Sequence, residues 1–181
     1  VSLSRASGST TYPAMFTLIA AANPCPCGFY QSAKKACACS AHSLELYRRK
    51  MSGPILDRID MKIRVPEVEI KTLTQQQSLN IESSSQIRQR VTLARQRQRV
   101  RLVQLNCRLN AQLTSSQVKS FCQLTPKACA TLNRAAENMG LSARSYFKVI
   151  KVGQTIADLN NESIITSACI GESIQYRQQF N

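Results

Sequence analysis

Two patterns of apolar and polar positions follow one another along the chain. Up to Pro66, short apolar runs are broken by Gly, Pro and Cys. From about Ser84 onward, apolar residues recur at helical spacing. Residues 1–5 alternate as a strand does, without an initiator Met, like a strand cut from something larger. The run at 16–22 is apolar and ends at Asn23-Pro24. It predicts a buried strand leading into a loop, because Pro24 restricts the residue before it and cannot donate to a ladder. Residues 61–65 alternate apolar and charged and stop at Pro66, which predicts a half-buried strand. Between them, 41–51 has helix-forming composition and ends before Ser52-Gly53-Pro54. Residues 67–82 are polar, with Gln75-Gln76-Gln77, and read as a linker or a weakly specified helix.

The second pattern predicts a bundle of four or five helices with short connections. Ile87, Val91, Ala94, Leu102 and Leu105 form one stripe, thin in the middle at Ala94. Thr114-Ser115-Ser116-Gln117 is a capping box ahead of Val118 and Phe121. Thr125-Pro126 supplies a cap and a first-turn proline, and Gly140 the matching stop. Ser142 caps a helix running to about Leu159, and a last helix is expected over 165–178. The expected fold class is mainly α with a small β part. Six arginines lie along the first of these helices. Arg88, Arg95 and Arg99 make one row, and Arg90, Arg97 and Arg101 the other, flanking the stripe with their heads in solvent.

Charge adds a partner class. Lys and Arg number 24 against 10 acids, a net charge of +14 over 181 residues, which suits a polyanion such as nucleic acid or a nucleotide phosphate. A soluble surface with spare charge is the plainer explanation. No run approaches ~18 apolar residues, so no membrane span is expected. Arg5 and neighbouring polar residues interrupt any signal-peptide core, so a cytoplasmic location is expected. The 8 cysteines should then be mostly reduced, as metal ligands or small buried apolar groups.

Four of them are patterned. Cys25-Pro26-Cys27 and Cys37-Ala38-Cys39 are two Cys-x-Cys pairs separated by nine residues. Zinc takes four thiolates in a tetrahedron, and a short loop joins two pairs at little entropy. The single residue inside each pair is tighter than usual for zinc. Free thiols and disulfides therefore stay open beside zinc. Lys34 and Lys35 in the loop would steady thiolates or face a polyanion. Cys107, Cys122, Cys129 and Cys169 lack pair spacing, and Cys122 and Cys129 read as core filler. His42 reads as solvated.

Three strings carry a family resemblance: 23–28 (Asn-Pro-Cys-Pro-Cys-Gly), 37–39, and 52–60 (Ser-Gly-Pro-Ile-Leu-Asp-Arg-Ile-Asp). In this order they resemble the ComM/YifB branch of the magnesium-chelatase-like AAA+ ATPases. Leu141 to Arg144, Thr155 to Leu159 and Tyr176-Arg177 continue the likeness over nearly the whole chain. The resemblance implies that 1–66 is the last part of an AAA+ α/β nucleotide domain and 67–181 its helical lid. Asn23 matches the sensor-1 position, which orients the attacking water. Arg58 matches the arginine finger offered to a neighbouring subunit, a guanidinium fitted to developing phosphoryl charge. Arg144 matches the sensor-2 arginine. From residues alone, Asn23 turns the chain, Arg58 pairs with Asp57 or Asp60, and Arg144 is solvated. The implied function is an ATP- and magnesium-dependent DNA helicase or branch-migration motor, a hexameric ring of self-associated subunits. The sequence has no Gly-Lys dipeptide and hence no phosphate-cradling loop, so the chain alone is expected not to hydrolyse ATP. Alternatives are a zinc-stabilised nucleic-acid-binding module without ATPase activity and a metal-chelatase motor subunit. Two departures from the family, Gly153-Gln154 for Ala-Arg and Gly171 in the last helix, suggest a looser lid.

Overall fold

The computed structural model describes residues 1–50, 53–66 and 82–177. Among these are seven α-helices and one two-stranded sheet. The chain divides into two compact units, Val1–Lys50 and Met51–Asn181. The expected boundary at 66/67 lies at the edge of 67–81, and the linker expected over 67–82 falls almost wholly outside the described residues.

In the first unit, β1 (Ser2–Arg5) and β2 (Gly8–Thr11) form an antiparallel hairpin with Ser2 opposite Thr11 and Arg5 opposite Gly8. Cross-strand hydroxyl pairs line one face, Ser2 with Thr11 at 3.0 Å and Ser4 with Ser9 at 3.1 Å. The alternation at the start of the chain is thus a strand. The buried strand expected at 16–22 is not formed: the segment has no regular structure, and Phe16 is 75% and Ile19 91% exposed. A strand needs a neighbour for its N–H and C=O groups, and among the described residues β1 and β2 pair only with each other. The unit ends in α1 (Ala41–Lys50), as its composition predicts.

The second unit opens with α2 (Gly53–Arg58). The half-buried strand expected at 61–65 is also absent, and Met61, Ile63 and Val65 are exposed. The amide of Lys62 instead donates to the Tyr176 carbonyl at 2.9 Å. Then come α3 (Ser84–Arg101), a 3-10 turn (Asn110–Gln112), α4 (Ser115–Phe121), α5 (Pro126–Met139), α6 (Ala143–Leu159) and α7 (Ser167–Gln175). The caps read from sequence are in place. Thr114 and Gln117 form a capping box, Thr125 and Ser142 accept first-turn amides, and Gly140 ends α5 in the left-handed conformation at φ 57°. A further box, Ser83 with Gln86, starts α3.

Helix α6 is the axis of the bundle and packs against α3, α4, α7 and the 3-10 turn. Leu102, Leu113, Val118, Leu132, Val149, Ile156, Ile165 and Ile170 fill the core. The stripe on α3 is buried only from Ala94 through Gln98 to Leu102, while Ile87 and Val91 remain exposed. Helix α7 is shorter than the expected 165–178, of which Gln178 is outside the described residues. Ile165 is used otherwise: it forms a parallel bridge with Leu124, and its carbonyl accepts from Thr125 at 3.1 Å. Thr166 becomes the cap. The two interior glycines differ. A Cβ on buried Gly153 would sit 3.2 Å from Ile170 Cδ1 and 3.4 Å from Ile165 Cγ2, so this glycine permits close approach of α7. Nothing lies within 4 Å of a Cβ on Gly171.

Candidate functional site

The cysteine loop builds one centre from local turns. Gly28 turns the chain with φ 84°, and its amide donates to the Cys25 carbonyl at 3.0 Å. This turn folds Cys27 back beside Cys25. The Tyr30 amide donates to Cys25 Sγ at 3.3 Å. Sulfur separations are 3.3 Å for Cys25–Cys27, 3.7 Å for Cys25–Cys37 and 3.5 Å for Cys27–Cys37. With Cys39, all four sulfurs fall within 4.8 Å of one another. A disulfide needs ~2.05 Å, and none is formed. A tetrahedron with metal–sulfur bonds of ~2.3 Å has edges of about 3.8 Å, so this arrangement is close to one a zinc ion fits.

The electrostatics agree with that fit. The Phe29 amide and the Cys25 thiol pull Cys27 down to about 6. Cys39 is pushed up to about 12: the Cys27 amide opposes the shift, but burial and the neighbouring sulfurs of Cys27, Cys37 and Cys25 outweigh it. Four adjacent thiols cannot all ionise alone, and a dication is what lets them. His42 is exposed and outside the cluster. Cys122 is buried, its thiol pushed up to about 11 by burial, while Cys129 is exposed on α5 and is not core filler.

A second polar centre gathers on Asp57, near the end of α2. Its carboxylate accepts from the hydroxyls of Ser145 and Ser142, and from Arg177 at 3.2 Å. Arg144 approaches the other oxygen at 3.8 Å. Ser145 foremost, then Arg177, hold this carboxyl below the usual range against the cost of burial. Arg177 is buried and also donates to Ser145 Oγ and to the Ile59 carbonyl. Lys148 donates to the Arg58 carbonyl and pairs with Asp60 at 2.9 Å. These contacts hold α2 to α6 and to the residues just after α7, and Arg58 and Arg144 are both exposed.

Of the three residues singled out for phosphate chemistry, Arg58 and Arg144 therefore flank one junction in the second unit. Asn23 belongs to the first unit, exposed, its carbonyl accepting from Tyr47 Oη at 2.9 Å. The partner of Asp57 that counts structurally, Arg177, was legible only as part of a motif.

The arginine rows of α3 are not both in solvent. Arg97 donates to the Asp158 carbonyl at 2.7 Å. Arg101 clasps the Asp158 carboxylate with two bonds of 2.6 and 2.8 Å, and Asn110 Nδ2 adds a third at 2.9 Å. Asp158 is 0% exposed, and this network ties α3 and the 3-10 turn to α6. The stripe pattern misplaced these two side chains because it carries no information on the buried acid 57 residues away.

The family described as magnesium chelatase, subunit ChlI C-terminal, matches residues 81–177, and that described as magnesium chelatase, subunit ChlI, matches residues 1–73. The uncharacterized protein YifB of Escherichia coli (strain K12) is 36% identical over 177 residues, covering 98% of this chain and 34% of that protein. Competence protein ComM of Haemophilus influenzae is 35% identical over 175 residues, 97% of this chain and 33% of that protein. The chain spans about a third of the length of the curated relatives it matches. With both family matches end to end and such relatives aligned over nearly its full length, the chain belongs to the magnesium-chelatase-like family, in its ComM/YifB branch.

Proposed function

We propose that this chain is the nucleotide-sensing and lid portion of an AAA+ ATPase, a DNA helicase or branch-migration motor that works as a hexameric ring. The observation that carries the reading is the Asp57 junction. It buries one arginine, Arg177, as the structural partner, and presents two others, Arg58 and Arg144, at the surface. The Arg144 side chain is 57% exposed and its ion pair among the described residues is a loose 3.8 Å, so a phosphate can take it over. Arg58 then acts as the finger for a neighbouring subunit, Arg144 as sensor 2, and Asn23 as sensor 1. The sensor-1 role suits an amide, which donates and accepts together. ATP and magnesium are bound mainly by a phosphate-cradling segment outside this sequence. The division at 66/67 into nucleotide domain and lid belongs to the same reading. Zinc on Cys25, Cys27, Cys37 and Cys39 supplies a structural cross-link and no chemistry.

The test joins this chain to the remainder of its polypeptide and measures ATP turnover. Arg58→Ala should lower it by about 10³-fold or more, the usual scale for a finger. Mixed rings of Arg58→Ala subunits with subunits lacking the phosphate-binding lysine should recover part of it, because the finger acts across the interface. Full turnover by Arg58→Ala, or turnover by the present chain alone, defeats the proposal. A second reading, a zinc-stabilised nucleic-acid module without ATPase activity, is favoured by the cysteine centre and predicts nucleic-acid binding that ignores nucleotide.

A further inference from the structure

The surface around the cysteine loop is basic beyond what the cysteines need. Residues 1–50 hold six cations (Arg5, Lys34, Lys35, Arg48, Arg49 and Lys50) against Glu45 alone, a surplus of five. A zinc tetrathiolate carries roughly two negative charges, which leaves a clear positive excess on this unit. The cations are also placed. Lys35 lies 4.9 Å over the Phe29 ring and Arg48 4.9 Å over the Tyr30 ring, both rings belonging to the loop between the cysteine pairs. Beside them a groove of about 490 Å³ is lined by Pro26, Ser43, Leu46, Tyr47, Arg49 and Lys50. Pro26, Leu46 and Tyr47 give it apolar lining, with Leu46 exposed, and the cations Arg49 and Lys50 share that lining. The one acid nearby is engaged with Arg49 at 2.6 Å in a solvent-exposed pair, of the kind that contributes little and exchanges readily.

We propose that this cysteine-loop surface grips a single-stranded nucleic acid. Lys35, Arg48 and Lys50 take phosphates, and the apolar lining of Pro26, Leu46 and Tyr47 takes the face of a base or sugar. Phosphate-tracking cations beside an apolar lining are the arrangement that holds unpaired strands. A duplex offers phosphates but keeps its base faces stacked, so the apolar lining would stay uncovered. The inference rests on the DNA component of the reading above and gives it an address.

The test is fluorescence anisotropy of the whole chain with a labelled oligothymidylate, across a salt series. Two triple variants are compared, Lys35→Glu/Arg48→Glu/Lys50→Glu on this surface and Arg88→Glu/Arg95→Glu/Arg99→Glu on α3. Losing three phosphate contacts should flatten the log–log salt slope by about 2, or about 100-fold weaker binding near ~0.1 M salt. The α3 variant should lose less. If the first triple variant fails to fold by circular dichroism, Lys50→Gln alone should still flatten the slope by about 0.7. Binding by the cysteine-surface variant equal to that of the parent, a larger loss in the α3 variant, or tighter binding of the corresponding duplex overturns this inference alone. A parent chain that binds no oligonucleotide at low salt sinks the nucleic-acid reading with it.

Discussion

Removing the Asp158 carboxylate tests whether the buried network ties α3 to α6. In Asp158→Ala, the guanidinium of Arg101, only 21% exposed at its side chain, loses both of its bonds to the acid, and Asn110 Nδ2 loses one of its two acceptors. Breaking a buried pair from one side costs about 3–5 kcal/mol, because the other charge stays behind without compensation. Domains of this size have ~5–15 kcal/mol in total, so the variant should sit close to its unfolding transition. At ~4–8 °C per kcal/mol for a domain of up to about 100 residues, the midpoint should fall by at least ~12 °C. The assay is urea and thermal unfolding followed by the far-UV helical signal, with an unchanged urea slope showing that the unfolding unit is the same. Arg101→Met/Asp158→Leu removes both charges and should recover most of the loss. A loss under ~1 kcal/mol in Asp158→Ala, or a double variant no more stable than the single, refutes the reasoning.

Three further predictions concern other parts of the chain. Protein purified without chelator should contain one zinc per chain, and stripping it should expose four thiols to a colorimetric reagent; a folded, metal-free protein with all four already reactive counts against the centre. Gly171→Ala should stabilise by ~0.5–1 kcal/mol, since the new methyl meets nothing within 4 Å, whereas Gly153→Ala should destabilise by pressing on Ile170; the reverse order in thermal melts defeats the packing argument. Asp57 is held below the usual carboxylate range in the folded state, foremost by the Ser145 hydroxyl. Its stabilisation is therefore complete above the unfolded pKa of ~4 and is lost as pH falls below it. Asp57→Asn should flatten the acid limb of a melting-temperature profile, and an unchanged limb would contradict the assignment.

Local chemistry was legible in the sequence, and long-range pairing was not. Thr114, Thr125, Gly140 and Ser142 marked helix ends correctly because a cap is decided within four residues. The paired cysteines were legible for the same reason, since one loop brings them together. The strands expected at 16–22 and 61–65 failed because an apolar run or an alternating one tells what a strand would bury, not whether a neighbour exists to bury it. Arg101 and Arg177 were missed as anchors because their acids lie 57 and 120 residues away, beyond any periodicity. The packing role of Gly153 was not legible because helix propensity is a property of one helix, while its lack of a Cβ serves the packing of two.

The reach of Arg177 back to Asp57 and Ile59, with the Lys62 amide on the Tyr176 carbonyl, makes the second unit a closed loop in chain order. Its first helix is fastened by its last described residue. During synthesis α2 can meet Ser145 and Lys148 of α6 first, but the Asp57 carboxylate waits without its buried cationic partner until Arg177 has left the ribosome. A chain stopped just short of Arg177 would keep α5, α6 and the whole of α7 but hold α2, and with it Arg58, through the α6 contacts without the buried clasp. The surface arginine proposed to serve a neighbouring subunit is thus fully anchored only on completion of its own.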